Sequence, residues 1–125
     1  MPKHAQKHTQ GTDHTKDFVS TAEFGAMKKT GVFISIGRGL VVDEDALNTA
    51  LQTGSIAGAA LDVFKKEPLT KESPLWNREN ILITAHNADF TEDYFELGWN
   101  VWRENYECIK ADKPVVTPVE KAAGY

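Results

Sequence analysis

The sequence predicts an α/β fold built on a parallel sheet, and two observations support this prediction. Short apolar stretches alternate with amphipathic ones, an order typical of strands joined by crossover helices. Three of these stretches are apolar at nearly every position, which is the pattern of strands covered on both faces. The predicted strands are Val32–Ile36, Ile56–Leu61 and Ile81–Thr84.

Three helices are predicted between and after these strands. Ser20 and Glu23 fit a capping box, so the first helix is expected over Thr21–Lys29. The second is expected over Asp43–Thr53, with Gly54 as its stop signal. The longest is expected from about Thr91 to Ala111. Its large apolar residues recur at helical spacing, and we expect core packing for Phe95, Trp102, Tyr106 and Ile109.

Composition limits the classes of protein that fit this chain. The 125 residues are 41% hydrophobic and 26% charged, as in a globular protein with one domain. The net charge of −4 argues against nucleic acid or an acidic membrane surface as a partner. No apolar run approaches the roughly 20 residues of a membrane span. The polar start lacks the apolar stretch of a secretory signal, and Cys108 has no second cysteine to pair with. We therefore expect a cytoplasmic protein.

The expected organisation has three parts. Residues 1–17 have almost no apolar residues and no period, so we expect a mobile N-terminal arm. Residues 18–112 form the folded domain, and residues 113–125 form a C-terminal tail.

Each predicted strand is followed by a residue with a chemically capable side chain. Arg38 follows the first strand, Asp62 the second and His86 the third, while Glu67 lies in the loop after the second. The carboxyl ends of parallel strands share one edge of the sheet, where ligands collect in α/β folds. We therefore expect these four side chains to form a site.

Each of these residues also has a structural interpretation. Arg38, flanked by glycines, could bind a carboxylate through two hydrogen bonds or could form a surface ion pair. An imidazole titrates near neutral pH, so His86 could transfer protons with Glu67 as its partner, or could simply bind a backbone carbonyl. Asp62 could accept a hydrogen bond from an amide of a ligand or could cap a turn.

Three other features are rejected as functional sites. Gly37-x-Gly39 begins like a dinucleotide fingerprint, but position 42 is Val. His4, His8 and His14 lie in a segment without a helix signal, so no metal site is expected. Cys108 lies within the long predicted helix without an activating neighbour and is interpreted as an inert thiol.

The sequence resembles the D-isomer-specific 2-hydroxyacid dehydrogenase family over about residues 11–112. Four motifs carry the resemblance in the family's order, namely Thr30 to Leu47 (TGVFISIGRGLVVDEDAL), Gly58 to Leu69 (GAALDVFKKEPL), Pro74 to Trp76 (PLW) and Ile83 to Asp89 (ITAHNAD). The resemblance implies the second half of a dinucleotide-binding domain. This would be a partial Rossmann-like parallel sheet with a long C-terminal helix.

The resemblance also implies a role for each matching residue. Arg38 would bind the substrate carboxylate, His86 would exchange a proton with the substrate oxygen, and Glu67 would pair with His86. The residues that would contact the NAD or NADP cofactor are Ile36, Gly37, Arg38, Asp62, His86 and Thr12, of which Asp62 would orient the nicotinamide carboxamide. The implied substrate is a small 2-oxo or 2-hydroxy acid. An unpaired sheet edge would also be compatible with a homodimer.

Some features depart from the family pattern. Ala85 stands where Pro is common before the histidine, and Ser35 where Asn is frequent. The family's substrate domain and glycine-rich first βαβ unit have no counterpart, so we expect a fragment. Two hypotheses therefore stay open: a piece of an active dehydrogenase, or a truncated, non-catalytic domain that binds cofactor or another protein.

Overall fold

The computed structural model describes residues 4–7 and 11–122, which fall into two compact units, Met1–Ala88 and Asp89–Tyr125. The first unit contains a parallel sheet in the order β1-β2-β3-β4. Its strands are β1 (His4–Lys7), β2 (Val32–Ser35), β3 (Gly58–Leu61) and β4 (Ile81–Ile83). Its helices are α1 (Thr21–Ala26) and α2 (Glu44–Thr53), and short 3₁₀ segments cover Asp13–Thr15, Gly39–Val41 and Pro74–Asn77. The second unit contains α3 (Tyr94–Lys110).

The register of the sheet places the strand ends together. Ser35 of β2 pairs with Leu61 of β3, and Leu61 pairs with Ile83 of β4. All three strands therefore end at one edge, and the segments that leave them start side by side. The prediction of a parallel α/β sheet is confirmed.

The ends of α1 and α2 follow the sequence signals. The backbone N–H of Ser20 donates to Glu23 Oε2 at 2.9 Å, so the predicted capping box is present. Asp43 caps α2 by accepting from two backbone N–H groups at 3.1 Å. Gly54 ends α2 with φ of 66°, a conformation that glycine adopts without steric cost. The first helix is shorter than expected and ends at Ala26.

A core of aromatic and aliphatic side chains joins the sheet to both helices. Phe24 of α1 meets Phe33 of β2 edge to face, with ring centroids 5.2 Å apart. Leu47 of α2 and Ile56 before β3 are completely or almost completely buried. This packing removes apolar surface from water, the main favourable term in folding.

Within the segment expected to be a mobile N-terminal arm, the structure describes a strand and a turn. Residues 4–7 form β1 and pair with β2, and residues 13–15 form a 3₁₀ turn. Pairing in a sheet uses backbone N–H and C=O groups, so a polar segment can add an edge strand without an apolar pattern. In the described part of the chain, the sheet therefore has four strands rather than the three predicted.

The second unit also differs from expectation. Its boundary lies after Ala88, whereas a single folded domain was expected over residues 18–112. The expected core packing of α3 is wrong for this chain, because its large side chains are exposed: Phe95 80%, Trp102 54%, Tyr106 46% and Ile109 66%. Among residues 89–122 no second helix or strand is present to cover them. No helix in the described part of the chain is long and apolar enough to cross a membrane.

Part of the expected tail is tied to α3. The side-chain amide of Asn105 donates to Thr117 Oγ1 at 2.8 Å, and its oxygen accepts from the backbone N–H of Val116 at 2.9 Å. The segment after α3 thus folds back along the helix that precedes it.

Replacing Gly39 with Ala is expected to destabilise the protein strongly. A Cβ at this position would lie 1.9 Å from the carbonyl carbon of Phe64, so backbone would have to move. Overpacking costs about 1–3 kcal/mol, and a backbone clash belongs at the upper end. The matched control is Gly25→Ala in α1, where a Cβ meets nothing within 4 Å. Urea unfolding should show a lower free energy of unfolding for Gly39→Ala than for the wild type. For Gly25→Ala it should show a free energy of unfolding higher by about 0.5–1 kcal/mol. Equal midpoints would contradict this account.

Candidate active site

The structure brings His86 and Glu67 into direct contact at the carboxyl edge of the sheet. His86 lies just after β4, and Glu67 lies in the loop that follows β3. His86 Nδ1 is 2.7 Å from Glu67 Oε2. Both side chains stay partly open to solvent, at 45% and 37% exposure. The Glu67 carboxylate thus orients the His86 ring, and the pair is still accessible to a molecule from solvent.

Glu67 is fixed at both of its oxygens. Its Oε1 accepts the backbone N–H of Phe64 at 2.9 Å, while Oε2 faces His86. Two hydrogen bonds lower the pKa of Glu67 below its ordinary value. The one from His86 has the larger effect, and the one from the Phe64 N–H has the smaller effect. Glu67 is therefore a stable carboxylate partner at neutral pH.

Asp62 occupies the end of β3 and is only 3% exposed. Its Oδ1 accepts from the Thr84 hydroxyl and from the backbone N–H of Asn87 at 3.0 Å. Its Oδ2 accepts from the backbone N–H of Ala88 at 2.9 Å. Burial alone would raise the pKa of Asp62, but these three hydrogen bonds outweigh burial and lower it. In the structure, the Asp62 carboxylate therefore organises the segment that carries His86.

The backbone of His86 adopts a left-handed conformation, with φ of 52°. Such a conformation is uncommon for residues other than glycine, although histidine is among the more tolerant ones. Its N–H donates to the backbone oxygen of Asp62 at 2.9 Å, and the next two N–H groups reach the Asp62 carboxylate. The end of β3 thus holds the turn that carries the imidazole.

Arg38 lies at the same edge but is not joined to this pair. Its Nη1 donates to the backbone oxygen of Gly37 at 2.9 Å, and its side chain is exposed. In residues 11–122, no hydrogen bond or ion pair links Arg38 to Glu67 or His86. Ile36, which precedes it, is also exposed, at 36%. The guanidinium is therefore available to an anionic group.

Thr12 follows Gly11, which lies next to Arg38. A Cβ on its neighbour Gly11 would lie 3.0 Å from the Cβ of Arg38, so the two segments are adjacent. Thr12 itself starts the 3₁₀ turn, and its backbone N–H donates to Thr15 Oγ1 at 2.8 Å. Its role toward a cofactor stays a prediction.

A pocket of about 660 Å³ opens beside His86 and Glu67. Most of its wall is apolar and comes from the loop after β3, from the 3₁₀ segment Pro74–Asn77 and from the end of β4. The residues that line it are Asp62, Phe64, Glu67, Pro68, Leu69, Trp76, Ile83, Thr84, Ala85 and His86. A titratable pair at the edge of an apolar pocket is a typical setting for proton transfer.

Sequence reasoning did not foresee several groups that build this site. Thr84 and the N–H groups of residues 87 and 88 had no signal in spacing or composition. Trp76 belongs to the Pro74 to Trp76 motif, which by itself predicts no place in a pocket. Of the histidines considered for a metal, His8 lies outside the described residues. Within the described part of the chain, no three His, Cys, Asp or Glu side chains are grouped to hold a metal ion.

The chain matches a family model over residues 6–88, described as the NAD binding domain of D-isomer specific 2-hydroxyacid dehydrogenase. The chain belongs to this family. Among its relatives, a probable 2-ketogluconate reductase of Dictyostelium discoideum is 53% identical over 76 residues, which are 61% of this chain and 23% of the relative. Glyoxylate/hydroxypyruvate reductase B of Cronobacter sakazakii is 46% identical over 82 residues, 66% of this chain and 25% of the relative.

Solved structures agree with this assignment. A D-isomer specific 2-hydroxyacid dehydrogenase from Xanthobacter autotrophicus Py2, in complex with NADPH and MES, superposes with a TM-score of 0.88 at 35% identity. The match covers 98% of this chain and 50% of that chain. This chain therefore spans half or less of the length of these relatives, and the predicted Rossmann-like architecture is confirmed for that part.

Replacing Asp62 with Asn is expected to loosen the turn that carries His86. An amide offers one oxygen where the carboxylate offers two, and its NH₂ group would face a backbone N–H. Leaving a buried donor unsatisfied costs about 1–3 kcal/mol. Hydrogen exchange should show faster exchange at the amides of Asn87 and Ala88 than in the wild type. Unchanged exchange at both amides would refute the proposed role of the carboxylate.

The contribution of Glu67 to stability should depend on pH. Its pKa is lower in the folded chain than in the unfolded chain, so its contribution is complete above the ordinary pKa of about 4.3. The contribution is lost as the pH falls through the lower folded value. The difference in unfolding free energy between the wild type and Glu67→Gln should therefore shrink on acidification. Urea unfolding from pH 6 to about pH 3 measures this difference, and a constant difference would contradict it.

Proposed function

We propose that this chain supplies the proton-transfer and nicotinamide side of an NAD(P)-dependent oxidoreductase that acts on the CH–OH group of small 2-hydroxy acids. The observation that carries the proposal is the 2.7 Å contact between His86 Nδ1 and Glu67 Oε2 beside an apolar pocket. An oriented imidazole with an ionised partner is what reversible proton transfer to a carbonyl oxygen requires.

The strand ends fit a nicotinamide cofactor. Ile36 offers an exposed apolar side chain for a flat ring, and Gly37 adds no side-chain bulk beside it. Asp62 Oδ2 accepts a single hydrogen bond within the described chain, so it can accept another from an amide N–H group. We therefore assign Ile36, Gly37, Asp62 and Thr12 to cofactor contacts, together with Arg38 and His86. When bound there, NADH or NADPH supplies the hydride.

The remaining chemistry belongs to three side chains. Arg38 binds the carboxylate of the 2-oxo acid with its exposed guanidinium and so orients the neighbouring carbonyl. His86 uses Nδ1 to bind Glu67, which leaves Nε2 to give a proton to the carbonyl oxygen. In the reverse direction, Nε2 takes the proton from the hydroxyl. Glu67 stabilises the protonated imidazole, and the two positive groups stabilise negative charge on the substrate oxygen.

The relatives suggest the substrate class. Glyoxylate, hydroxypyruvate and 2-ketogluconate, which appear in their names, share a 2-oxo acid group. We propose a small substrate of this class for this chain. A homodimer and a cytoplasmic location also belong to the proposal, and the single Cys108 is compatible with a reducing compartment.

Turnover by the 125-residue chain tests the proposal. Purified protein is mixed with NADH or NADPH and with glyoxylate or hydroxypyruvate, and loss of the reduced nicotinamide is followed by absorbance. His86→Gln should lower kcat by about 10²–10⁴-fold, the usual contribution of a general acid. Arg38→Ala should mainly raise KM, and Arg103→Ala in α3 is the matched control.

Two other outcomes are informative. Turnover that survives both active-site substitutions would overturn the assigned roles. Cofactor binding without turnover, measured by calorimetry, would support the alternative of a non-catalytic domain that binds cofactor.

A further inference from the structure

The loop that carries Glu67 is tied to two distant parts of the chain through Lys65. The Lys65 ammonium contacts Asp17 Oδ1, in the segment before α1. The Lys65 backbone N–H donates to Glu44 Oε1, in the first turn of α2, at 2.6 Å. Three segments that are far apart in sequence therefore meet at a residue two positions before Glu67.

The contact with Asp17 is more than a solvated surface pair. Both side chains are about two-thirds buried, with exposures of 33% and 36%. Among the described residues, Asp17 Oδ1 is buried and accepts no hydrogen bond beyond its contact with the Lys65 ammonium. Burial lowers the pKa of Lys65, but the hydrogen bond and charge of Asp17 more than compensate and raise it. Removing Lys65 would leave the buried Asp17 Oδ1 without its counter-charge, so the contact favours the observed position of the loop.

The path from Lys65 to Glu67 is short and stiff. The Phe64–Lys65 peptide packs against Gly39, where even a Cβ would not fit. The N–H of Phe64 in turn donates to Glu67 Oε1 at 2.9 Å. A shift of this peptide would therefore move the donor that orients the Glu67 carboxylate.

We propose that Lys65 is a positioning residue, which through Asp17 and Glu44 holds the loop so that Glu67 stays in contact with His86. The meaning of this contact for catalysis rests on the function proposed above. The contact itself can be measured without turnover.

Asp17→Asn gives the sharpest test, because a pure charge effect and a loss of positioning change the pKa of Glu67 in opposite directions. If only charge matters, removing the negative charge of Asp17 lowers the pKa of Glu67 or leaves it unchanged. Loss of positioning weakens the bond to His86 and raises the pKa of Glu67, by about half a pH unit or more, since such partners shift a carboxyl pKa by about 1–3 units. Asn tolerates the left-handed backbone of Asp17, which has φ of 51°. Titration of the Glu67 carboxyl carbon by ¹³C NMR measures this pKa.

Asp13→Asn is the control for Asp17→Asn, because it removes the same charge from an exposed residue of the same segment. It should not raise the pKa of Glu67. A fall or no change in Asp17→Asn, as in the control, would overturn the proposal.

A second set of variants starts from the lysine itself. Lys65→Met removes the ion pair, while Lys66→Met removes an equal charge from the adjacent, exposed residue. Positioning predicts that Lys65→Met raises the pKa of Glu67 more than Lys66→Met does, and that Lys65→Arg restores most of the difference. Equal shifts in the two Met variants would mean that only charge matters and would also overturn the proposal. These titrations measure the pKa of Glu67 whether or not the chain turns over substrate, so failure of the proposed function would be seen separately.

Discussion

The buried carboxylate of Asp62 is the constraint on which the candidate site depends. It lies at the end of β3, and the register of the sheet places the end of β4 beside it. Its two oxygens accept three hydrogen bonds from the segment after β4, and its backbone oxygen accepts the N–H of His86. The backbone position of His86 is therefore set by the neighbouring strand, while Glu67 orients the ring. Asp62 thus joins the sheet to the segment that carries His86.

The partner of His86 is held by a different means. Glu67 belongs to a long loop, and a loop positions a side chain well only when it is tied to rigid elements. Close packing at Gly39 and the contacts of Lys65 supply those ties. The pair thus combines a histidine fixed by the sheet with a carboxylate fixed by the segments around α1 and α2. Arg38 is the least constrained of the three, and its exposure is compatible with the carboxylate-binding role proposed above.

Local signals in the sequence were sufficient for the parts of the fold that local physics controls. The capping box at Ser20, the cap at Asp43 and the glycine stop at Gly54 are found where the sequence predicted them. The polar strand β1 carried no signal, because its pairing depends on backbone groups and on the presence of β2. For α3, periodicity predicts that an apolar stripe exists but not whether anything covers it. The polar residues after the strands and Glu67 in the loop are predicted from the sequence, whereas the three donors to Asp62 are not, since they depend on how two strand ends approach in space.

The left-handed backbone of His86 shows how the site can maintain a locally unfavourable geometry. A residue other than glycine in a sparsely populated backbone region costs about 1–3 kcal/mol. Hydrogen bonds to an ionised group contribute about 1.5–3 kcal/mol each, and Asp62 accepts three of them from this segment. These hydrogen bonds together are larger than the strain and can offset it. Asn would accept the same backbone conformation at position 86, but it cannot transfer a proton. The left-handed turn is thus compatible with an imidazole because the buried carboxylate stabilises it, which links the identity of residue 62 to the chemistry of residue 86.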